Sequence, residues 1–427
     1  MRTPMQVDIN PKILNVKESA TLAINQQVLE MRAKGESVYH FGFGQSPFPV
    51  PIDIQQALAD HTDKKSYLPT RGLPSLLSTI ARFYEKHCGL TVSADQICVG
   101  PGSKELIFQA IYLLEGPLII PAPSWVSYGP QAEIVGKKIV TIETQRTKGY
   151  RLSAEDLERV CGEAGSGQKI LILNNPNNPT GSSHSEAELI QLAKVCRANH
   201  VIVISDEIYG LVLFNKKKHT SLSHFYPEGT IITGGLSKAF SAGGYRLGVM
   251  IIPQELTGLM KALMSFISET FSAVSAPIQY AAQTAYEYGD AVRQEVEKCT
   301  EIHQFAGEYL HGRFIKMGLN CPRPEGAFYL FPDFEPFREA LADKQIYGSK
   351  QLVAEILTTV KVALLPASDF YLDESHLGVR VASVDYDGIR VLANFPGKAE
   401  MNPQLLEDLF PNLIAGCNNL EKYLETL

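Results

Sequence analysis

The sequence predicts an α/β protein in which helices cover both faces of a mainly parallel central sheet, joined to a smaller α+β domain. Three observations carry this. From about residue 96 to 252, short apolar runs alternate with helically spaced segments, as parallel strands linked by crossover helices require. Helical spacing then dominates residues 254–317, and the tail mixes the two again. The chain has 427 residues, 45% hydrophobic and 20% charged, ample for more than one core. The expected division is 1–50 as an N-terminal arm and part of the small domain, 51–319 as the large domain and 320–427 as the small C-terminal domain.

The elements follow in order. Residues 17–34 carry Ala20, Ile24, Val28 and Met31 near helical spacing, and Gly35 is a stop. Tyr39 to Pro51 holds three prolines and two glycines, which predicts an irregular connector. Strand-like runs are Leu118–Ile120, Lys169–Leu173, Val201–Ser205, Thr230–Thr233 and Leu247–Ile252, with helical segments at 103–114, 153–161 and 185–199 between them. In the tail, Ala327–Phe331, Val362–Leu365 and Gly378–Ala382 read as strands, and 349–359 and 403–425 as helices. The last helix puts Leu406, Phe410, Leu413, Cys417 and Leu420 on one face, to pack on its own small domain or to meet a partner.

Composition narrows the function. A formal net charge of −7 and a pI of about 5.9 argue against nucleic acid or anionic membranes as partners. The one basic run, Lys216-Lys217-Lys218, reads as a solvated turn. Seven cysteines without CxxC spacing fit a reducing cytosol and leave no disulfide framework or zinc ribbon, so no metal is expected. Arg2, Asp8, Lys12 and Lys17 interrupt the N-terminus, which has no signal-peptide core, and no apolar stretch approaches a membrane span. A cytoplasmic protein is expected.

Five segments carry chemistry. Lys238 lies in Gly235-Leu236-Ser237-Lys238-Ala239-Phe240-Ser241-Ala242-Gly243-Gly244-Tyr245-Arg246, with the arginine eight positions on. Alone it reads as a surface lysine in a glycine-rich loop. In company it suits a Schiff-base nucleophile beside an anion clamp. Four further segments fall at the carboxyl ends of strands, where open α/β sheets bind ligands. Gly100-Pro101-Gly102-Ser103-Lys104 opens a helix whose free N–H groups suit a phosphate, although any N-cap serine looks alike. Trp125, the only tryptophan, could stack on a flat ring or sit in the core. Asn174-Asn175-Pro176-Asn177-Asn178-Pro179 makes a rigid turn that can present an amide to a ring oxygen. Asp206, after Val201–Ser205, is either an N-cap or the partner of a protonated ring nitrogen, with Tyr209 three residues on. Together they point to one planar, phosphorylated pyridine ligand.

On these motifs the chain resembles the class I/II aminotransferases, the aspartate aminotransferase-like group of fold-type I pyridoxal 5′-phosphate enzymes, from about residue 18 to 425. The matching segments are Asn177-Asn178-Pro179-Thr180-Gly181, Ser205-Asp206-Glu207-Ile208-Tyr209 and Ser237-Lys238-Ala239-Phe240. The resemblance implies that Lys238 holds the cofactor as a Schiff base and shuttles a proton. It implies that Asp206 pairs with the pyridine nitrogen, that Tyr209 and Asn178 bond the 3-oxygen and that Trp125 stacks on the ring. Gly102, Ser103, Lys104, Ser237 and Arg246 would surround the phosphate. Tyr67 would reach the phosphate of a neighbouring subunit, so a homodimer is expected. Arg380 would clamp the substrate α-carboxylate, with Gly44 as a backbone contact.

The implied activity moves an α-amino group between an L-amino acid and a 2-oxo acid in two half-reactions. Other chemistry on the same fold is the alternative: a C–S lyase, decarboxylase, synthase or oxidase acting on an amino acid. A PLP-binding regulator is disfavoured, because about 17 residues before the first helix leave no room for a DNA-binding domain. The connector reads Gly44-Gln45-Ser46-Pro47-Phe48 where the family often has Gly-Glu-Pro-Asp-Phe, and Gly235 stands where some members have serine. Lys104 and Arg71 are candidates for a distal substrate carboxylate.

Overall fold

A computed structural model describes residues 7–14, 16 and 18–427; Arg2 and Lys17, the expected start of the first helix, lie outside them. Seven strands form the central sheet: β1 (Ile97–Gly100), β2 (Leu118–Ala122), β3 (Ile139–Glu143), β4 (Lys169–Asn174), β5 (Val201–Asp206), β6 (Thr230–Gly235) and β7 (Gly248–Ile251). Their spatial order is β1-β7-β6-β5-β4-β2-β3. Strands β2 to β6 pair in parallel, while β7 runs antiparallel to both β6 and β1. The reversal makes β6–β7 a hairpin, in which Gly235 pairs with Gly248.

The central strands are runs of Ile, Val and Leu because both faces are covered. On one face, helices Ser103–Leu113 and Leu259–Ser268 join Ile120, Ile170, Ile172 and Ile204 in one cluster. On the other, helices Ala154–Glu163 and Glu186–Ala198 pack on Leu171, Leu173 and Val203. Ser153 and Ser185 side chains cap those two helices by accepting from Asp156 N and Glu188 N. Strand β3, like β1, is not among the runs that the sequence marks as strands. It is an edge strand whose Thr141 and Glu143 are exposed, so it lacks an apolar run. Lys169 opens β4 although it is 2% exposed; its ammonium donates to Gly167 O at 2.8 Å and Asn199 O at 3.4 Å.

A second core gathers Phe41, Leu352, Val379, Leu413, Cys417 and Leu420. Three short strands, Tyr329–Leu330, Leu365–Pro366 and Val379–Ala382, form an antiparallel sheet there. The connector is not wholly irregular: Tyr39–His40 pairs in parallel with Val362–Ala363. The 27-residue helix Asp290–Lys316 joins the cores, burying Val292 and Val296 in the first and Ile302, Leu310 and Phe314 in the second. The expected helix 403–425 is two helices, Pro403–Leu409 and Pro411–Glu425, because Pro411 cannot continue the first. Phe410, Leu413, Cys417 and Leu420 face the second core as expected, with Leu406 only partly covered.

Candidate active site

The carboxyl edge of the sheet assembles most of the predicted residues. Asp206 ends β5 and is 4% exposed. Its Oδ2 accepts a 2.7 Å hydrogen bond from the Tyr128 hydroxyl, and Oδ1 accepts from Ile208 N at 3.3 Å. Burial pushes the carboxyl up to about 6, although both hydrogen bonds and the Lys238 ammonium pull it down. A buried carboxylate so placed is stabilised by a cation held against it. No helix begins directly after Asp206, so it does not serve as an N-cap.

Lys238 follows β6 and is half-buried. Its ammonium donates to Gly44 O at 2.8 Å and lies 5.7 Å from the Tyr209 ring centroid and 5.5 Å from that of Phe328. Gly44 has to be glycine, since a Cβ there would fall 2.0 Å from the Tyr329 hydroxyl. Ser46 Oγ pairs with Ser241 Oγ at 2.6 Å, so the variant connector is tied to the lysine-bearing loop.

The asparagine turn divides its labour. Asn174 Nδ2 donates to Asp206 O and its Oδ1 accepts from Asn178 N. Asn175 Oδ1 accepts from Ser183 Oγ and His184 N, and Asn177 Oδ1 from Thr180. These three amides hold the turn. Asn178 is left with its amide nitrogen unpartnered among the described residues, and its Oδ1 is 3.4 Å from Arg380 Nη1.

Arg380 is 1% exposed and flanked by the rings of Tyr329 and Phe370, at 4.9 and 5.3 Å. Its Nη2 donates to Gly42 O, while Nε has no hydrogen-bond partner among the described residues. Burial lowers its pKa, with Tyr329, Tyr209 and Asp369 opposing. A fully buried guanidinium with a spare N–H is prepared for a carboxylate.

Arg246, in the left-handed region at φ 52°, precedes the reversed strand β7 and thus enters the same edge from the strand's start. It donates to Gly243 O at 3.0 Å and Pro101 O at 3.2 Å. Gly102, at φ 92°, lets it approach: a Cβ would fall 2.3 Å from Nη2. Gly102 precedes helix Ser103–Leu113 with no side-chain cap, so the helix N-terminus faces the arginine. Ser237 is half-buried beside Lys238. The helix N-terminus, Arg246 and the Asp206 carboxylate form a cradle that fits an aromatic cation bearing a phosphate.

Lys104 Nζ stands 5.1 Å over the Trp125 ring, which makes a T-shaped contact with Tyr128 at 5.2 Å. Desolvation, Arg246 and Lys238 together lower the Lys104 pKa. Arg71 pairs with the exposed Asp95 at 3.0 Å within this chain. Tyr67 is 96% exposed and meets no other site residue within this chain.

Two tyrosines were missed. Tyr128 lies three residues after Trp125, and the sequence attaches no role to it. Tyr329 lies in an apolar strand, and its hydroxyl pairs with that of Tyr209 at 2.9 Å. The only sequence signal was a polar tip inside a buried run.

Residues 36–395 match the aminotransferase class I and II family. The chain belongs to that family. It is 32% identical over 368 residues to aspartate aminotransferase of Geobacillus stearothermophilus, covering 84% of this chain and 91% of the relative. A probable aspartate/prephenate aminotransferase of Aquifex aeolicus is 32% identical over 375 residues, covering 86% and 92%. The structure of Thermus thermophilus aspartate aminotransferase with maleate superposes with a TM-score of 0.83 at 26% identity, covering 98% of this chain and all of that one. This aminotransferase is a transaminase dependent on pyridoxal 5′-phosphate, with the expected fold-type I α/β architecture. Among the described residues no helix is long and apolar enough to cross a membrane, no cluster suits a metal ion, and the seven cysteines are free thiols.

Proposed function

We propose that this aminotransferase carries an amino group from a dicarboxylic L-amino acid to a 2-oxo acid, with Lys238 as both covalent anchor and proton carrier. Pyridoxal 5′-phosphate, when bound, supplies an aldehyde carbon for the amine and a ring that takes up the electron pair left at Cα. Every other task belongs to the chain. Lys238 Nζ removes the Cα proton of the bound donor, and Gly44 O holds that nitrogen by accepting one of its N–H bonds. Asp206 keeps a positive charge at the ring nitrogen, itself fixed by Tyr128 and Ile208 N–H. Asn178, with its free amide nitrogen, and Tyr209 address the ring oxygen. Arg246, Ser237 and the Gly102–Ser103 helix start take the phosphate. Trp125 stacks on the ring, and Arg380 grips the α-carboxylate.

The observation that carries this reading is a Lys238 ammonium near enough to the buried Asp206 to pull its carboxyl down, with a buried Arg380 that has an unpartnered Nε and reaches Asn178. Lys104 sets the substrate class: it is a cation beside Trp125 with no carboxylate within 4 Å among the described residues. The relatives' names, aspartate and aspartate/prephenate aminotransferase, support an acidic donor. The family resemblance, which has Tyr67 reach the phosphate of a neighbouring subunit, supports a homodimer, and the 96% exposure of Tyr67 leaves the side chain open to a second copy.

The test is borohydride reduction of the holoenzyme followed by peptide mapping. The tag is expected on Lys238, and Lys238→Ala is expected to lower transamination of aspartate by at least about 10⁴-fold with the fold retained. A tag elsewhere, or full activity in the variant, overturns the assignment.

A further inference from the structure

A cleft of about 970 Å³ lies behind Lys238 rather than over it. Gly234, Gly235, Ala239 and Phe240, on both sides of the lysine segment, form one wall, and Glu207 is the residue after Asp206. Neither Lys238 nor Arg380 lines it. The volume is near the upper end of ordinary ligand pockets, and Phe83, Tyr84, Phe240, Tyr286 and Tyr288 supply aromatic surface within it.

Three tyrosines mark its interior. Tyr84, Tyr286 and Tyr288 are 6%, 4% and 7% exposed and all line the cleft. Their hydroxyls form no hydrogen bond among the described residues. The three hydroxyls open on the cleft rather than being sealed off, so they can meet the polar atom of a ligand there. Glu207 does not need that partner. Ser205 and Ser221 hydroxyls donate to it at 2.7 and 2.6 Å, and His219 Nε2 lies 2.9 Å away.

The rim gives the ligand its sign. The Lys216–Lys218 run, read from sequence as a solvated turn, borders this cleft, and the lining holds six lysines and arginines against three glutamates. Arg293 is neutralised by Asp290 and Glu297, but Lys216 and Lys218 have no carboxylate within 4 Å among the described residues. Asn215 and Lys216 both adopt left-handed backbone, at φ 58° and 55°, which turns the run at the mouth.

We propose that this cleft is a second ligand site, taking a small aromatic carboxylate with a polar group opposite the acid. The ring lies against Phe83, Phe240 and the tyrosine rings. The carboxylate meets Lys216–Lys218, and the far polar group meets the tyrosine hydroxyls.

The test uses 4-hydroxybenzoate, titrated calorimetrically into holoenzyme. An Arg380→Lys background removes tight carboxylate binding at the active site. One equivalent per chain is expected to bind there, and adding Lys216→Glu, Lys217→Glu and Lys218→Glu is expected to weaken it at least tenfold. These lysines touch no catalytic group, so the same three changes in the wild-type background should leave turnover unchanged. Tyr286→Phe gives a second arm, expected to weaken 4-hydroxybenzoate but not benzoate. No binding in the Arg380→Lys background, an unchanged affinity after charge reversal, or equal affinity for 4-hydroxybenzyl alcohol overturns the proposal. The readout is binding heat, so failure here leaves the transamination reading untouched.

Discussion

The Tyr128 hydroxyl donates to Asp206 Oδ2 at 2.7 Å, with both side chains buried at the end of β5. This bond lowers the cost of a carboxylate held in a dry site. Tyr128→Phe removes it and raises the Asp206 pKa further. A hydrogen bond to a charged group contributes about 1.5–3 kcal/mol, so kcat/KM should fall roughly 10- to 100-fold. Steady-state kinetics across pH checks this: the acid limb should move to higher pH in the variant.

Stability of the cofactor-free protein should depend on Asp206. Its carboxyl is raised from 3.8 to about 6, so the folded state binds this proton more tightly than the unfolded chain. The contribution is fully present below about pH 4 and is lost as pH rises through 6, by about 3 kcal/mol at most. Thermal unfolding of wild type relative to Asp206→Asn should show this fall. Adding pyridoxal 5′-phosphate should abolish it.

Arg380→Lys replaces a planar fork by a point charge. The loss should reach about 2 kcal/mol or more, roughly thirtyfold in kcat/KM for every amino donor. An unchanged value for aspartate would remove Arg380 from the substrate site.

Lys104 should discriminate between donors. Lys104→Gln is expected to raise KM for aspartate about tenfold or more while sparing a neutral donor such as alanine. If both donors suffer alike and cofactor affinity falls, the lysine serves the phosphate instead.

Gly44→Ala would place a methyl 2.0 Å from the Tyr329 hydroxyl. Either the connector or the tyrosine must move, disturbing both the Lys238–Gly44 and Tyr209–Tyr329 bonds. A loss of about 1–3 kcal/mol in stability is expected by denaturant titration.

Sequence revealed what repeats or is chemically concentrated. The buried parallel strands were legible because both faces select Ile, Val and Leu; β4 and β5 end within one residue of expectation. Edge strand β3 was not, because solvent accepts Thr141 and Glu143. Lys238 and Asp206 stood out through their segments and Arg380 only through the family resemblance; in the fold the Lys238 ammonium acts on Asp206, and Arg380 Nη1 lies 3.4 Å from Asn178. Tyr128 and Tyr329 did not stand out, since a tyrosine's role depends on what its hydroxyl meets across 78 and 120 residues of chain. The asparagine turn is intermediate. Its richness was visible, but only the bonds distinguish the three scaffold amides from Asn178.

The reversed strand β7 has a mechanical consequence. Lys238 and Arg246 hang from one hairpin loop, between paired Gly235 and Gly248. Any displacement of that loop carries the Lys238 amine and the Arg246 guanidinium together along one trajectory.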